Sequence, residues 1–298
     1  MLAPFPYFGG KRKVIDLVWQ RFGSLLQYTE PFCGSAAMLL GAPRTHSLEV
    51  IGDANGFIAN FWRAVSAQPA EVARWADYPV SHVDLSARHH WLLERRAELA
   101  AGLLDADWPG DAKTAGWWLW GQCAWIGSGW CDWERETPLP EGIGQIPFVG
   151  HPGRGVQVQN NNEIPLATIA RLGDRLRRVR VIHGGWDRCL NTHHAKHSGA
   201  FAGIFLDPPY VAYEGLYGAQ QPVAQAVAEW CRKHGGDSHL RIALCGHVGD
   251  YELPGWDAVQ WSRGSHTMGS SKTTTKECIW FSPNCLRPVQ STLWDVAS

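Results

Sequence analysis

The feature that most constrains this chain is a repeated alternation. A short apolar run is followed by a turn of small or acidic residues, and then by a stretch of helical period. "QYTE" leads through "PFCG" into "SAAMLLG", and "EVIG" leads through Asp53 and Asn55 into "GFIANFWRAV". "RVRVIH" ends in Gly184, Gly185 and Asp187, and "AGIFL" ends in Asp207, Pro208, Pro209 and Tyr210. The helical "AQAVAEWCRKHG" and a fifth run, "RIALCG", come next. Short runs that are apolar on both faces read as buried parallel strands, and strands alternating with helices make a doubly wound, mostly parallel α/β sheet. "WDAVQWSR" and "KECIWFSP" flank the Gly/Ser/Thr-rich "GSHTMGSSKTTT" and predict a closing antiparallel hairpin. Residues 66–170 interrupt the pattern with "PAEVARWAD", "ARHHWLLERRAELAAGLL", the tryptophan-rich "GWWLWGQCAWIGSGWCDW" and a Pro/Gly-rich stretch from Pro138 to Pro165. They are expected to form a mainly helical insert in a domain built from residues 1–65 and 171–298.

Composition narrows the classes. With 298 residues, 45% hydrophobic and 18% charged, the chain can bury a large core and is unlike a disordered protein. No apolar run approaches the length of a membrane span, and "MLAPFPYFGGKRK" lacks the apolar segment of a secretion signal. A cytosolic protein with no membrane partner is expected. The eight cysteines form no C-x-x-C pair, which predicts reduced, buried thiols. His193, His194 and His197 have no cysteine or carboxylate neighbour in sequence, so no metal is expected there. Net charge is −1, yet basic residues cluster at Lys11, Arg12 and Lys13, and again at Arg171, Arg175, Arg177, Arg178 and Arg180. Such clusters suit phosphates, and equally a solvated helix face.

The turns carry the chemistry. Two prolines after Asp207 remove two backbone donors and fix the chain direction, so an acid and a ring are held at the carboxyl end of a strand, where open α/β sheets keep their ligands. Gly34 and Ser35 lie between a strand and a helix, where small residues admit a ligand to the backbone. Asp53 ends its strand where a carboxylate accepts from ribose hydroxyls, and Asp187 is placed to accept from an adenine amino group. Each acid alone is more often a helix cap than a ligand. Together they favour a nucleoside-type cofactor pocket. G-x-G-x-x-G is absent, which disfavours a nicotinamide oxidoreductase, and "FGGK" lacks the second half of a phosphate-binding P-loop.

The combination "PYFGGKRK", "EPFCGSAAM", "GDANGFIANFW", "GGWD" and "LDPPY" resembles the Dam-type (D12 class) DNA adenine-N6 methyltransferases, in particular their compact bacteriophage and prophage forms. The resemblance spans most of the chain outside the insert. It departs from the family's F-x-G-x-G loop at Ala36, which stands in place of the second glycine. It implies a Rossmann-like sheet, S-adenosylmethionine as methyl donor, and double-stranded DNA as partner of a monomer (a weak dimer being the other possibility) in a bacterial or phage-infected host cytosol. It places Tyr7, Gly9, Gly10, Lys11, Phe32, Gly34, Ser35, Asp53, Asn55, Asp187 and Asp207 around the cofactor. It assigns catalysis to Asp207, Pro208, Pro209 and Tyr210. Asp207 and the Pro208 carbonyl would accept hydrogen bonds from an adenine amino group, and Tyr210 would stack on the extruded base. DNA contacts are expected from Lys11, Arg12, Lys13, Trp130, Arg154 and Lys272. Most insert tryptophans are expected to pack as core, with one or two near "GSGW" facing DNA. Cytosine-N4 methylation and a catalytically inactive DNA-binding relative are the alternatives. Cytosine-C5 methylation fits poorly, because no Pro-Cys pair exists.

Overall fold

Strands form where the chain is apolar on both faces, and they stop where prolines, glycines or acids begin. The computed structural model describes residues 1–7, 11–125, 130–131, 133, 165–191, 193–210, 223–261 and 276–287. Seven strands, β1 (Gln27–Glu30), β2 (Leu48–Asp53), β3 (Val179–His183), β4 (Ala202–Leu206), β5 (Leu240–His247), β6 (Asp257–Trp261) and β7 (Glu277–Phe281), form one sheet in the order β3-β2-β1-β4-β5-β7-β6. The pairs β2/β3, β1/β4 and β4/β5 are parallel, and β7 is antiparallel to both β5 and β6. All five residues of β4 and of β7 are buried, as expected for strands covered on both faces, whereas terminal β6 alternates between half-buried and exposed positions. The doubly wound, mostly parallel sheet with a closing antiparallel hairpin is the architecture expected from the alternation.

Contacts divide the chain into two units. The first comprises Met1–Gly10, Glu30–Leu40 and Leu48–Leu190. It holds β2, β3 and the helices α2 (Ala37–Leu40), α3 (Gly56–Ala67), α4 (Pro69–Ala76), α5 (His82–Glu94), α6 (Arg96–Gly102), α7 (Ala112–Ala124) and α8 (Pro165–Leu176). Sequence sets the starts of these helices. Asn55 caps α3, Pro69 opens α4, Ser81 caps α5 and Asp111 caps α7, each satisfying orphan amides or lacking one to satisfy. The run expected as one helix after Ser86 is divided at Arg95, which ends α5 before α6 begins. Aromatic rings fill the core: Phe5 meets Phe61 and Trp118 edge-on at 5.3 and 5.0 Å. The helical segments foreseen in the insert are therefore present, and residues 134–164 lie outside the described ones.

The second unit comprises Lys11–Thr29, Gly41–Ser47 and Asn191–Ser298. It holds α1 (Ile15–Phe22), Gln27–Thr29 of β1, α9 (His193–His197), α10 (Val223–His234) and β4 to β7. Its core is Phe22, Tyr28, Ile204, Phe205, Leu244 and Phe281, all buried. Arg21 is buried too, ion-paired to Asp257 at 2.6 Å with its guanidinium over the Phe281 ring. All eight cysteines are buried and free. No helix among the described residues is long and apolar enough to cross a membrane.

Candidate active site

Two groups of side chains stand at strand ends, one in each unit. In the first unit the turn from Glu30 to α2 is fastened from several sides. The Cys33 amide donates to the Gly52 carbonyl (2.9 Å), the Gly34 amide to Asp53 Oδ2 (3.0 Å), and the buried Trp62 indole N–H to the Gly34 carbonyl (2.9 Å). Gly34 has φ +43°, in the left-handed region, and a Cβ there would stand 2.5 Å from Tyr7 Cδ1. Both facts require glycine. Ala36 is also left-handed, at φ +49°, and its amide donates to the Cys33 carbonyl at 2.6 Å. At Ala36, where the resemblance would place a second glycine, the chain thus keeps a glycine-like backbone with an alanine. Ser35 is buried and Phe32 half-buried in the same turn.

Asp53 closes this arrangement. Its Oδ1 accepts from the Asn55 amide (2.9 Å) while Oδ2 accepts from Gly34. Burial pushes its carboxyl up to about 6, against the pull of the Asn55, Gly34 and Ala54 amides. Each carboxylate oxygen has two acceptor directions, so capacity for a ligand hydroxyl remains. Asn55, expected beside a cofactor, accepts with its side-chain oxygen from the Phe57 and Ile58 amides as the cap of α3. Beyond β3, Asp187 is exposed in a 3-10 turn (Trp186–Cys189), and Gly185 gives its carboxylate room, since a Cβ at Gly185 would lie 2.7 Å from Asp187 Oδ1. Cys189 packs against Gly52, and burial lifts its thiol to about 12.

The second group gathers at the carboxyl ends of β4 and β5. Asp207 leaves β4, and its Oδ2 is 2.9 Å from Lys11 Nζ. Lys11 is 3% exposed and also lies 3.8 Å from Glu277 Oε2. Burial alone works against the ammonium, but attraction to Asp207 and Glu277 outweighs it, and the Lys11 pKa ends up raised. The Tyr210 hydroxyl donates to Glu277 Oε2 at 3.2 Å. Its ring, 8% exposed, meets the His247 imidazole edge-on at 4.5 Å and has the Lys11 ammonium 5.2 Å from its centroid. The acid and the ring of "LDPPY" and the lysine of "PYFGGKRK" are thus brought together.

Other expected site residues are placed differently. Lys11 is an interior ion-pair partner and not a surface contact for a DNA backbone, while Arg12 and Lys13 beside it are exposed. Consecutive residues of a 3-10 turn point in different directions, so one basic triplet divides between core and surface. Trp130, expected to face DNA, is 7% exposed, its N–H donates to the Trp118 carbonyl at 3.0 Å and its ring lies on Gly121, where no Cβ obstructs it. It is core. The arginine cluster also divides: Arg175 grips Glu49 with two hydrogen bonds and Arg177 pairs with Asp174. Gly9, Gly10, Arg154 and Lys272 lie outside the described residues. Glu277, His247 and Trp62 were not singled out from sequence. A signal for Glu277 exists, because a lone acid inside the apolar run "ECIWF" demands a buried partner.

No protein-family model and no curated protein matches the chain. Among solved structures, it is similar to the rRNA methyltransferase AviRa from Streptomyces viridochromogenes, at 12% identity and a TM-score of 0.38, over 95% of this chain and 89% of that one. A second structure of AviRa gives 13% identity and a TM-score of 0.36, over 93% and 87%. These distant likenesses carry nothing about substrate.

Proposed function

We propose that this chain is an S-adenosylmethionine-dependent DNA methyltransferase acting on adenine N6. The observation that carries the reading is the second group: Asp207, at a proline-rigid strand end, is held 2.9 Å from a buried lysine with Tyr210 alongside. An aromatic amine is a poor nucleophile because its lone pair is delocalised. Asp207 and the Pro208 carbonyl accept hydrogen bonds from the two amino hydrogens, which favours a tetrahedral nitrogen with its lone pair exposed. Asp207 is also the acceptor for the proton the nitrogen sheds. Lys11 balances the Asp207 charge, so the carboxylate is oriented without being displaced into solvent.

The first group fits the donor. Asp53 retains acceptor capacity for ribose hydroxyls, Asp187 is exposed to meet an adenine amine, and Tyr7 lies over the glycine turn. When bound, S-adenosylmethionine supplies a sulfonium methyl electrophilic enough to need no protein nucleophile. The exposed Arg12 and Lys13 are the described residues offered for DNA phosphate contact.

Incubation with S-adenosylmethionine labelled in its methyl group and random-sequence duplex, followed by nucleoside digestion, tests the reading. Label should elute as N6-methyl-2′-deoxyadenosine, and Asp207→Ala should slow its appearance by about two to four orders of magnitude. Label appearing as N4-methyl-2′-deoxycytidine or entering no DNA, or label entering RNA and not DNA when total RNA is supplied in a parallel incubation, refutes the reading.

A further inference from the structure

We infer that the last cross-strand pair of the β5/β7 ladder, His247 and Glu277, is a seat that positions Tyr210, with Glu277 a positioning residue for transfer. The inference deepens the reaction proposed above and rests on it only for the transfer step. His247 and Glu277 are register partners in the antiparallel pair. Directly opposite residues of such a pair project on one face of the sheet. Tyr210 spans both: its ring meets His247 edge-on at 4.5 Å and 78°, and its hydroxyl donates to Glu277 Oε2 at 3.2 Å. The same carboxylate oxygen lies 3.8 Å from Lys11 Nζ, and Lys11 in turn lies 2.9 Å from Asp207 and 5.2 Å from the Tyr210 ring centroid. Glu277 is 3% exposed and occupies the first position of an otherwise apolar strand.

A carboxylate is costly at such a position unless it is paired and hydrogen-bonded. It is paired here with two groups that both belong to the proposed catalytic set. Tyr210 follows two prolines that fix the backbone but leave its own side-chain torsions free, so the ring's direction must be set elsewhere. The hydroxyl bond to Glu277 and the edge contact with His247 set it. Glu277 touches no substrate in this account. It acts through Tyr210 and Lys11, holding ring and ammonium in one relation to Asp207.

The test is a double-mutant cycle of Tyr210→Phe and Glu277→Gln, read two ways. Tyr210→Phe removes only the hydroxyl and keeps the cycle informative if Glu277→Gln folds poorly. Single-turnover methylation of random-sequence duplex should slow by about tenfold in either variant, the scale of losing a hydrogen bond to a charged group, with KM for S-adenosylmethionine unchanged. The double variant should be no slower than the worse single one, because both act on the same bond, Tyr210→Phe deleting its donor and Glu277→Gln the charge of its acceptor. Independently of turnover, ring resonances of 13C-labelled Tyr210, assigned by their loss in Tyr210→Phe, should shift and narrow in Glu277→Gln as the ring gains freedom. Full additivity in the cycle, an unchanged transfer rate in Glu277→Gln, or unmoved Tyr210 resonances overturns the seat. If wild-type protein methylates no DNA while the resonances respond, the reaction falls and the seat stands.

Discussion

Two neighbouring positions with nearly the same backbone should respond in opposite ways to changes that look alike. Gly34 and Ala36 have φ of +43° and +49°. At Gly34, alanine would incur about 1–2 kcal/mol for the left-handed backbone. Its methyl would also stand 2.5 Å from Tyr7 Cδ1 and drive that ring from its edge contact with Phe5, at 6.2 Å. Loss of such an aromatic pair costs about 0.5–1.5 kcal/mol. Alanine lowers unfolded-chain entropy, which returns about 0.4–1 kcal/mol. Gly34→Ala should therefore destabilise by about 2 kcal/mol, as these terms combine. At Ala36 the signs reverse. Glycine would relieve about 1–2 kcal/mol of strain, lose about 0.8 kcal/mol from an entirely buried methyl, and give up about 0.4–1 kcal/mol to the freer unfolded chain. Ala36→Gly should thus lie within about 1 kcal/mol of the parent. Urea unfolding at constant m resolves both values. A Gly34→Ala protein as stable as its parent would show that the turn is not held in its left-handed form. An Ala36→Gly loss above about 2 kcal/mol would show that the methyl, and not the backbone, decides that position.

Asp207→Ala should slow methyl transfer by about two to four orders of magnitude, measured in single turnover, with little change in S-adenosylmethionine affinity. Lys11→Met should cost about 3 kcal/mol near pH 8 by removing the ammonium beside buried Glu277, measured as a shift in urea midpoint. The uncompensated acid would then bind a proton more readily folded than unfolded, so the deficit should shrink as pH falls toward 5; a pH-independent deficit would mean lost packing instead. Asp53, with its carboxyl lifted to about 6, makes the folded state bind more protons than the unfolded one between about pH 4 and 6. Its contribution to stability therefore declines as pH rises through that window, and Asp53→Ala should flatten this slope in a comparison of denaturation midpoints. If ribose hydroxyls donate to the ionised carboxylate, S-adenosylmethionine affinity measured by calorimetry should be level above about pH 7 and fall below about 6.

The sheet was legible because its central strands β4 and β5 are apolar runs and because breakers mark most strand ends. β4 with its Asp-Pro-Pro terminus follows this plainly, and the pair β6 and β7 was marked by the Gly/Ser-rich link between them. What sequence could not display is which way a side chain turns once its backbone is in place. Lys11, Arg12 and Lys13 are alike in charge, and only the 3-10 turn separates the buried one from the exposed two. Asn55 has the chemistry of a ligand and the position of a cap, and the cap prevails because two α3 amides need an acceptor. Trp130 shares a glycine-flanked segment with other tryptophans, and its burial depends on Gly121, nine residues earlier and one helix away. For Glu277 the apolar run shows the need for a partner but not its identity. Its partners Tyr210 and Lys11 lie far off in sequence, so nothing local says which residues they are.

The eight buried thiols have a kinetic consequence. Four of them, at positions 33, 123, 131 and 189, belong to the first unit, and four, at 231, 245, 278 and 285, to the second. Burial lifts the Cys33, Cys131 and Cys245 thiols well above their ordinary range, so the folded chain presents no ready thiolate at these sites. Alkylation there must wait for an opening event, and its rate becomes a clock for that opening. With equal numbers of hands on two dials, peptide mass spectrometry of a partly alkylated sample would report which unit opens first. A molecule carrying four labels confined to one unit would be the signature of two separate openings, and one jumping from none to eight that of a single cooperative event.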